Sequence, residues 1–184
     1  MKYNKAWLIE RFQKKERIKF LLFWGHQPAK DLSITQSCFS QWWPARFEAD
    51  HVSYPTAEHW MMAEKARLFN DDEIRSRIMD ARSPAEAKKL GRLIRHFDPL
   101  VWDDQKFEVV TQGNYYKFQQ HAALRDFLIN TGERILVEAS PVDPVWGIGL
   151  AADDPKSENP LLWKGQNLLG FALMEVRDRL KRLP

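Results

Sequence analysis

A chain of 184 residues, 44% hydrophobic and 29% charged, can bury a core of its own and is too apolar for a disordered segment. Its net charge of +3, from 28 basic and 25 acidic residues, is too small to make a nucleic-acid footprint by itself. The single cysteine, Cys38, excludes an internal disulfide and a paired-cysteine metal site, and is read as structural. The first twenty residues hold no apolar run of signal-peptide length, and nothing approaches membrane-spanning length, so a cytoplasmic protein is expected. Eight tryptophans and eleven phenylalanines exceed what a core of this size needs, and a surplus of rings suits a pocket that stacks flat groups.

In chain order, residues 1–17 read as an N-terminal extension and residues 18–184 as one domain. Few helix signals precede residue 55. The apolar run Ile18 to Trp24 fits a buried strand, and residues 25 to 51 are mixed. Thr56 is a candidate cap for a helix reaching about Phe69. A second helix from Asp71 puts Ile74, Ile78 and Ala81 on one face. Ser83-Pro84-Ala85-Glu86 combines a capping box with proline at the first helical position, for a helix burying Ala87, Leu90 and Ile94. Asp98-Pro99 opens another helical stretch towards Phe118, and Ala122 to Asn130 follows, stopped at Thr131-Gly132. Ile135 to Val137 is a short strand. Residues 139 to 165 are irregular, and loops of that length in compact domains are often functional. Leu169, Leu173, Val176 and Leu180 mark a C-terminal helix. The expected fold is mainly α, a single domain with a few short β-strands.

Three stretches invite chemistry. In YPTAEHWMMAEK, residues 54–65, Glu58 and Lys65 are seven apart, so they share a helix face about 10 Å apart along the axis. They are too distant for an i,i+4 ion pair, and Met62 lies between them. A sugar-sized group could lie across that face. On periodicity alone, an acid at a helix start and a solvated lysine account for the pattern better. His59 reads as a core or supporting histidine, because no histidine spacing here suits zinc. In DPVWGIG, residues 143–149, two glycines beside a tryptophan let the backbone approach a ligand, or make a tight turn on a buried ring. Gly165-Gln166-Asn167 opens the last helix, where free N–H groups would favour phosphate, or where Asn167 simply caps. No dinucleotide fingerprint, phosphate-binding P-loop, nucleophile elbow or Ser-His-Asp order is present.

Taken in order, these pieces resemble the NADAR, or YbiA-like, family. The matching residues are Phe39-Ser40-Gln41-Trp42, Tyr54 with Glu58-His59-Trp60 and Lys65, Gly91-Arg92, Trp102 and Leu136-Val137-Glu138. They continue through Asp143, Trp146-Gly147 and Gly149, then Gly165, Asn167, Leu169-Gly170 and Leu173 to Arg177. The resemblance implies a mainly α fold and an N-glycosidase that hydrolyses the ribose C1–N bond. The implied substrates are phosphoribosylamino-pyrimidine intermediates of riboflavin synthesis or ADP-ribose on guanine. It implies Glu58 as the carboxylate that stabilises the ribosyl cation or directs water, and Lys65 as an amine able to form a Schiff base. Asp143 is implied as a second acid or a ribose ligand. Trp102 and Trp146 would stack on the base, Arg92 and Asn167 would hold phosphate, and Phe39, Ser40 and Gly147 would complete substrate binding. No cofactor and no metal are implied. The partner is a small phosphoribosyl or ADP-ribosyl molecule, with ADP-ribosylated nucleic acid as a further substrate class, no membrane, and an open oligomeric state. The chain departs from the family at Gln41-Trp42, where Asn-Phe is usual, and at Met62, where glutamine is common. A non-catalytic module that binds ADP-ribose or a nucleotide is the alternative, and a partner-docking role for the basic N-terminus is a third reading.

Overall fold

The structure is a computed structural model that describes residues 1–31 and 33–182. The chain forms two compact units, Gln41–His121 and the pair of segments Met1–Ser40 and Ala122–Pro184. Helices dominate both, as expected for a mainly α protein. Among the described residues no helix is long and apolar enough to cross a membrane.

The discontinuous unit is built around two parallel strands, β1 (Phe20–Phe23) and β4 (Ile135–Glu138), with Phe20 opposite Ile135. Ile135, Leu136 and Val137 are all buried, which is why the sequence runs continuously apolar there instead of alternating. Helix α7 (Leu168–Leu180) packs on β4. Gly170 permits this, since a Cβ there would stand 2.1 Å from the Leu136 carbonyl oxygen. Helix α6 (Ala122–Ile129) packs on α7, and Gly132 ends its turn with φ +65°. Arg177 is buried in α7 and donates to Thr131 Oγ1 and the Arg134 carbonyl at 2.8 and 2.9 Å.

One helix escaped the sequence reading. Residues Lys5–Gln13 form α1, started by Asn4, whose side chain accepts the Trp7 N–H at 2.8 Å. Its only buried residue is Leu8, so the helix leaves almost no periodic apolar signal. It packs on the 3₁₀ turn Pro160–Leu162, and Lys5 Nζ donates to the Trp163 carbonyl at 2.7 Å.

The continuous unit begins with a hairpin, β2 (Phe47–Ala49) and β3 (Val52–Tyr54). Its two turn residues, Asp50 and His51, have φ of +50° and +62°, the pattern of a tight type I′ turn. Four helices follow: α2 (Ala57–Leu68), α3 (Asp72–Met79), α4 (Pro84–Leu90) and α5 (Pro99–Gln120). The caps expected at Thr56 and Ser83 hold, and Asp71 and Asp98 cap the helices expected to start there, each side chain accepting a first-turn N–H. Helix α4 stops at Leu90, so Ile94 is buried from the connecting segment rather than from the helix. Helix α5 runs unbroken for 22 residues through Phe118. It approaches α2 closely at Gly113, where a Cβ would lie 2.2 Å from Trp60 Cδ1.

Candidate active site

Helix α2 carries the first candidate pair. Pro55 cannot continue β3, and Thr56 turns the extended chain into the helix (φ −148°). Glu58 follows in the first turn, where the helix dipole favours an acid. It is only 2% exposed. Its N–H, one of the donors that a helix start leaves open, is taken by the Gln41 carbonyl at 3.0 Å. In so dry a place a carboxylate acts on nearby charge far more strongly than in water.

Lys65 lies two turns further on and is half-buried. Nζ donates to the Gly91 carbonyl at 3.0 Å and stands over the Phe97 and Trp102 rings, 4.1 and 5.7 Å from their centroids. Among the described residues it has no carboxylate partner. Burial pulls its pKa below the ordinary lysine value. Met62 is buried against Gly91, where a Cβ would sit 2.1 Å from the Met62 sulfur. Gly91 thereby supplies both room for Met62 and an acceptor for Lys65. Arg92 follows it and is exposed.

His59 is buried, with Nε2 3.1 Å from the Ala81 carbonyl and Nδ1 2.8 Å from Thr56 Oγ1. A carbonyl only accepts, so Nε2 carries the proton and Nδ1 takes the threonine's. Burial lowers its pKa, which suits this neutral, supporting role. Among the described residues no cluster could hold a metal ion.

In the other unit, the segment after β4 folds back on itself. Asp143 Oδ1 accepts the Val145 and Trp146 N–H groups at 2.9 and 2.8 Å, closing an Asx turn. Gly147 is hemmed in: a Cβ there would meet the Glu138 carbonyl at 2.8 Å. Its own carbonyl accepts the Asn167 N–H at 3.0 Å. Asn167 is fully buried with φ +57° and does not cap α7. Its Nδ2 donates to the Leu136 carbonyl and its Oδ1 accepts the Glu138 N–H, both at 2.9 Å, so the amide rivets α7 to β4.

A sequence model of the NADAR domain matches residues 22–181. An N-glycosidase of Acanthamoeba polyphaga mimivirus is 43% identical over 145 residues, 76% of this chain and 85% of the relative. The chain belongs to the NADAR family. The N-glycosidase YbiA of Escherichia coli is 35% identical over 140 residues, covering 75% of this chain and 76% of the relative. An NMR structure of E. coli YbiA superposes with a TM-score of 0.70 at 29% identity, covering 90% of this chain and 87% of that one. The fold is that of a YbiA-like NADAR protein.

Within the NADAR scaffold the candidate residues fall into two groups. Glu58, Lys65, Arg92 and Trp102 belong to the continuous unit, and Lys65 and Trp102 are in contact there. Phe39, Ser40, Asp143, Trp146, Gly147 and Asn167 belong to the other. Phe39 is a core ring, 5.4 Å from Phe23 and 5.6 Å from Phe127 between centroids, and its exposure is 0%. The free N–H groups expected at the start of α7 are not free: those of Leu168 and Leu169 bond the Val145 and Trp146 carbonyls at 3.3 and 3.2 Å.

Sequence reasoning passed over Phe97, the ring nearest Lys65. A signal existed: Phe97 precedes the Asp98 cap, the place of a hydrophobic staple whose partner four residues into the helix is Trp102. It also passed over Asn114, a helix-interior amide that only tertiary contact makes significant.

Proposed function

We propose that this NADAR protein hydrolyses the ribose C1–N bond of a phosphoribosylamino-pyrimidine or of ADP-ribosylated guanine. The observation that carries the reading is on α2. A 2% exposed carboxylate and a half-buried lysine with no acidic partner among the described residues lie seven residues apart on one helix, in a chain similar to named N-glycosidases.

Breaking an N-glycosidic bond develops positive charge on the ribose ring. Glu58 stabilises that charge and directs water to C1, and its dry position strengthens the effect. Lys65 takes the role of the amine. A neutral amine is the nucleophile, and burial between Phe97 and Trp102 raises its neutral fraction. Attack on C1 of the ring-opened glycosylamine, an imine, breaks the C1–N bond and releases the base as its free amine, leaving C1 as a Schiff base on Lys65, which water hydrolyses to the free sugar and the free lysine. The Trp102 ring offers a flat face for the base, and exposed Arg92 a charge for phosphate. Asp143 as second acid or ribose ligand, Trp146 as stacking ring, and Ser40, Gly147 and Asn167 as binding residues belong to the proposal on family resemblance.

The test measures base release from both substrate types by wild type, Glu58→Gln and Lys65→Ala. Wild-type turnover with a loss of about 100-fold or more in either variant is expected, the scale of one preorganised charge. Binding of ADP-ribose without turnover would instead identify a recognition module. Full activity in both variants would remove the roles given to α2.

A further inference from the structure

Gln41 and Asn114, both in the continuous unit, form a buried amide pair with two polar atoms left over. Asn114 is fully buried in α5, and Gln41 is 7% exposed. Asn114 Nδ2 donates to Gln41 Oε1 at 2.7 Å and to the Val110 carbonyl at 2.9 Å. The Val110 oxygen can only accept, which fixes the orientation of the Asn114 amide. Gln41 must then turn its oxygen towards Asn114 and its nitrogen away. The outcome is a buried donor, Gln41 Nε2, and a buried acceptor, Asn114 Oδ1, neither with a hydrogen-bond partner among the described residues.

A protein rarely leaves such atoms orphaned, because each has given up water for nothing. Their position suggests a reason. The Gln41 carbonyl accepts the Glu58 N–H at 3.0 Å, so the pair is tied by one hydrogen bond to the first turn of α2. An unpaired donor on one amide and an unpaired acceptor on the other match a pair of hydroxyls, each able to accept through its oxygen and donate its proton. A phosphate offers no proton at neutral pH, and a flat apolar ring satisfies neither atom.

We propose that Gln41 and Asn114 bind the vicinal hydroxyls of the ribose whose C1 lies at Glu58. Gln41 Nε2 donates to a hydroxyl oxygen, and Asn114 Oδ1 accepts a hydroxyl proton. The inference rests on the N-glycosidase reading and adds the contact that distinguishes ribose from deoxyribose.

The experiment is calorimetric binding of ADP-ribose and of analogues lacking the 2- or the 3-hydroxyl of the terminal ribose. It uses wild type and Gln41→Met, with thermal midpoints recorded. Wild type should favour ADP-ribose over at least one analogue by about tenfold, the worth of one hydrogen bond to a buried partner. Gln41→Met should erase that preference. Gln41→Glu, which keeps the acceptor for Asn114 and lacks the donor, stands in should Gln41→Met not fold, and should erase the preference as well. A purely structural amide pair would change the midpoint and leave the preference intact, which overturns the proposal. Wild-type base release with no hydroxyl preference overturns this inference alone. Neither release nor binding overturns both it and the catalytic reading.

Discussion

The Lys65 ammonium lies 4.1 Å from the centroid of the Phe97 ring, with the Gly91 carbonyl as its hydrogen-bond acceptor. Ring faces favour a cation and dry surroundings disfavour it. Burial lowers the lysine pKa from its ordinary value. Phe97→Ala removes the ring and admits water, and should move the Lys65 pKa back up towards an ordinary lysine. Amine NMR titration of Lys65 reads this directly. A pKa that falls further would mean that the ring had been supporting the charge. The same shift has a consequence for stability. The folded protein holds the Lys65 proton less tightly than the unfolded chain, so this group's contribution improves as pH rises from the folded value to about 10.4, and Phe97→Ala should flatten that rise.

Asp71 and Arg95 set the acid side. Asp71 caps α3 by accepting the Ile74 N–H at 3.2 Å, and it accepts the backbone N–H, Nε and Nη2 of Arg95 at 2.9, 3.1 and 2.6 Å. The guanidinium beside it, with these N–H groups, holds the carboxyl well below the usual carboxylate range. A depressed folded pKa contributes stability above the unfolded value, about 3.9, and loses it as pH falls towards the folded one. Wild type should therefore lose denaturant resistance steeply below about pH 4, and Arg95→Ala should start lower at neutral pH and fall less. Parallel pH curves for the two proteins would contradict the pairing.

Much of this was legible beforehand, because local physics wrote it. The caps at Thr56, Asp71, Ser83 and Asp98 are side-chain bonds to the next turn, and they marked four helix starts. The apolar runs Ile18 to Trp24 and Ile135 to Val137 marked two strands, of which β4 is buried as its run implies while β1 buries only Phe23 and leaves Trp24 exposed. Helix α1 was hidden because its periodic signal is a single buried leucine. The start of α7 was misjudged because a loop far upstream, at Val145 and Trp146, supplies the carbonyls that occupy the Leu168 and Leu169 N–H groups. On α2 the seven-residue spacing put Glu58 and Lys65 on one face. No spacing rule could supply the rings of Phe97 and Trp102, which arrive from the α4–α5 connection and α5. The amide pair of Gln41 and Asn114 joins positions 73 apart in sequence, and pattern reading has no access to such contacts.

Asn167→Asp tests whether the family asparagine holds the fold. The substitution keeps size and the acceptor for the Glu138 N–H. It loses the donor to Leu136 and sets a carboxylate against that carbonyl. A buried acceptor stripped of its partner costs about 1–3 kcal/mol, and an opposed charge adds to it. At roughly 2–4 °C per kcal/mol for a chain of this size, the melting midpoint should drop by several degrees. An unchanged midpoint would show that the amide is not the rivet between α7 and β4.

Gly113→Ala tests the approach of α5 to α2. Its Cβ would stand 2.2 Å from Trp60 Cδ1 and 2.7 Å from Nε1. The indole cannot retreat freely. Its N–H donates to the Val109 carbonyl at 2.8 Å, and Tyr54 and Tyr116 pack edge-on at 5.1 and 5.4 Å between centroids. Overpacking of this kind costs about 1–3 kcal/mol, and losing the indole bond adds about 1. Trp60 is two residues after Glu58, so any shift of the helix also displaces the carboxylate, and catalytic loss should exceed what the fraction unfolded explains. Trp60→Phe removes the colliding edge, so the double variant should be less destabilised than the two single costs added together. Additive costs would place the strain elsewhere, and a Gly113→Ala protein with wild-type midpoint and activity would show that the two helices can part without consequence.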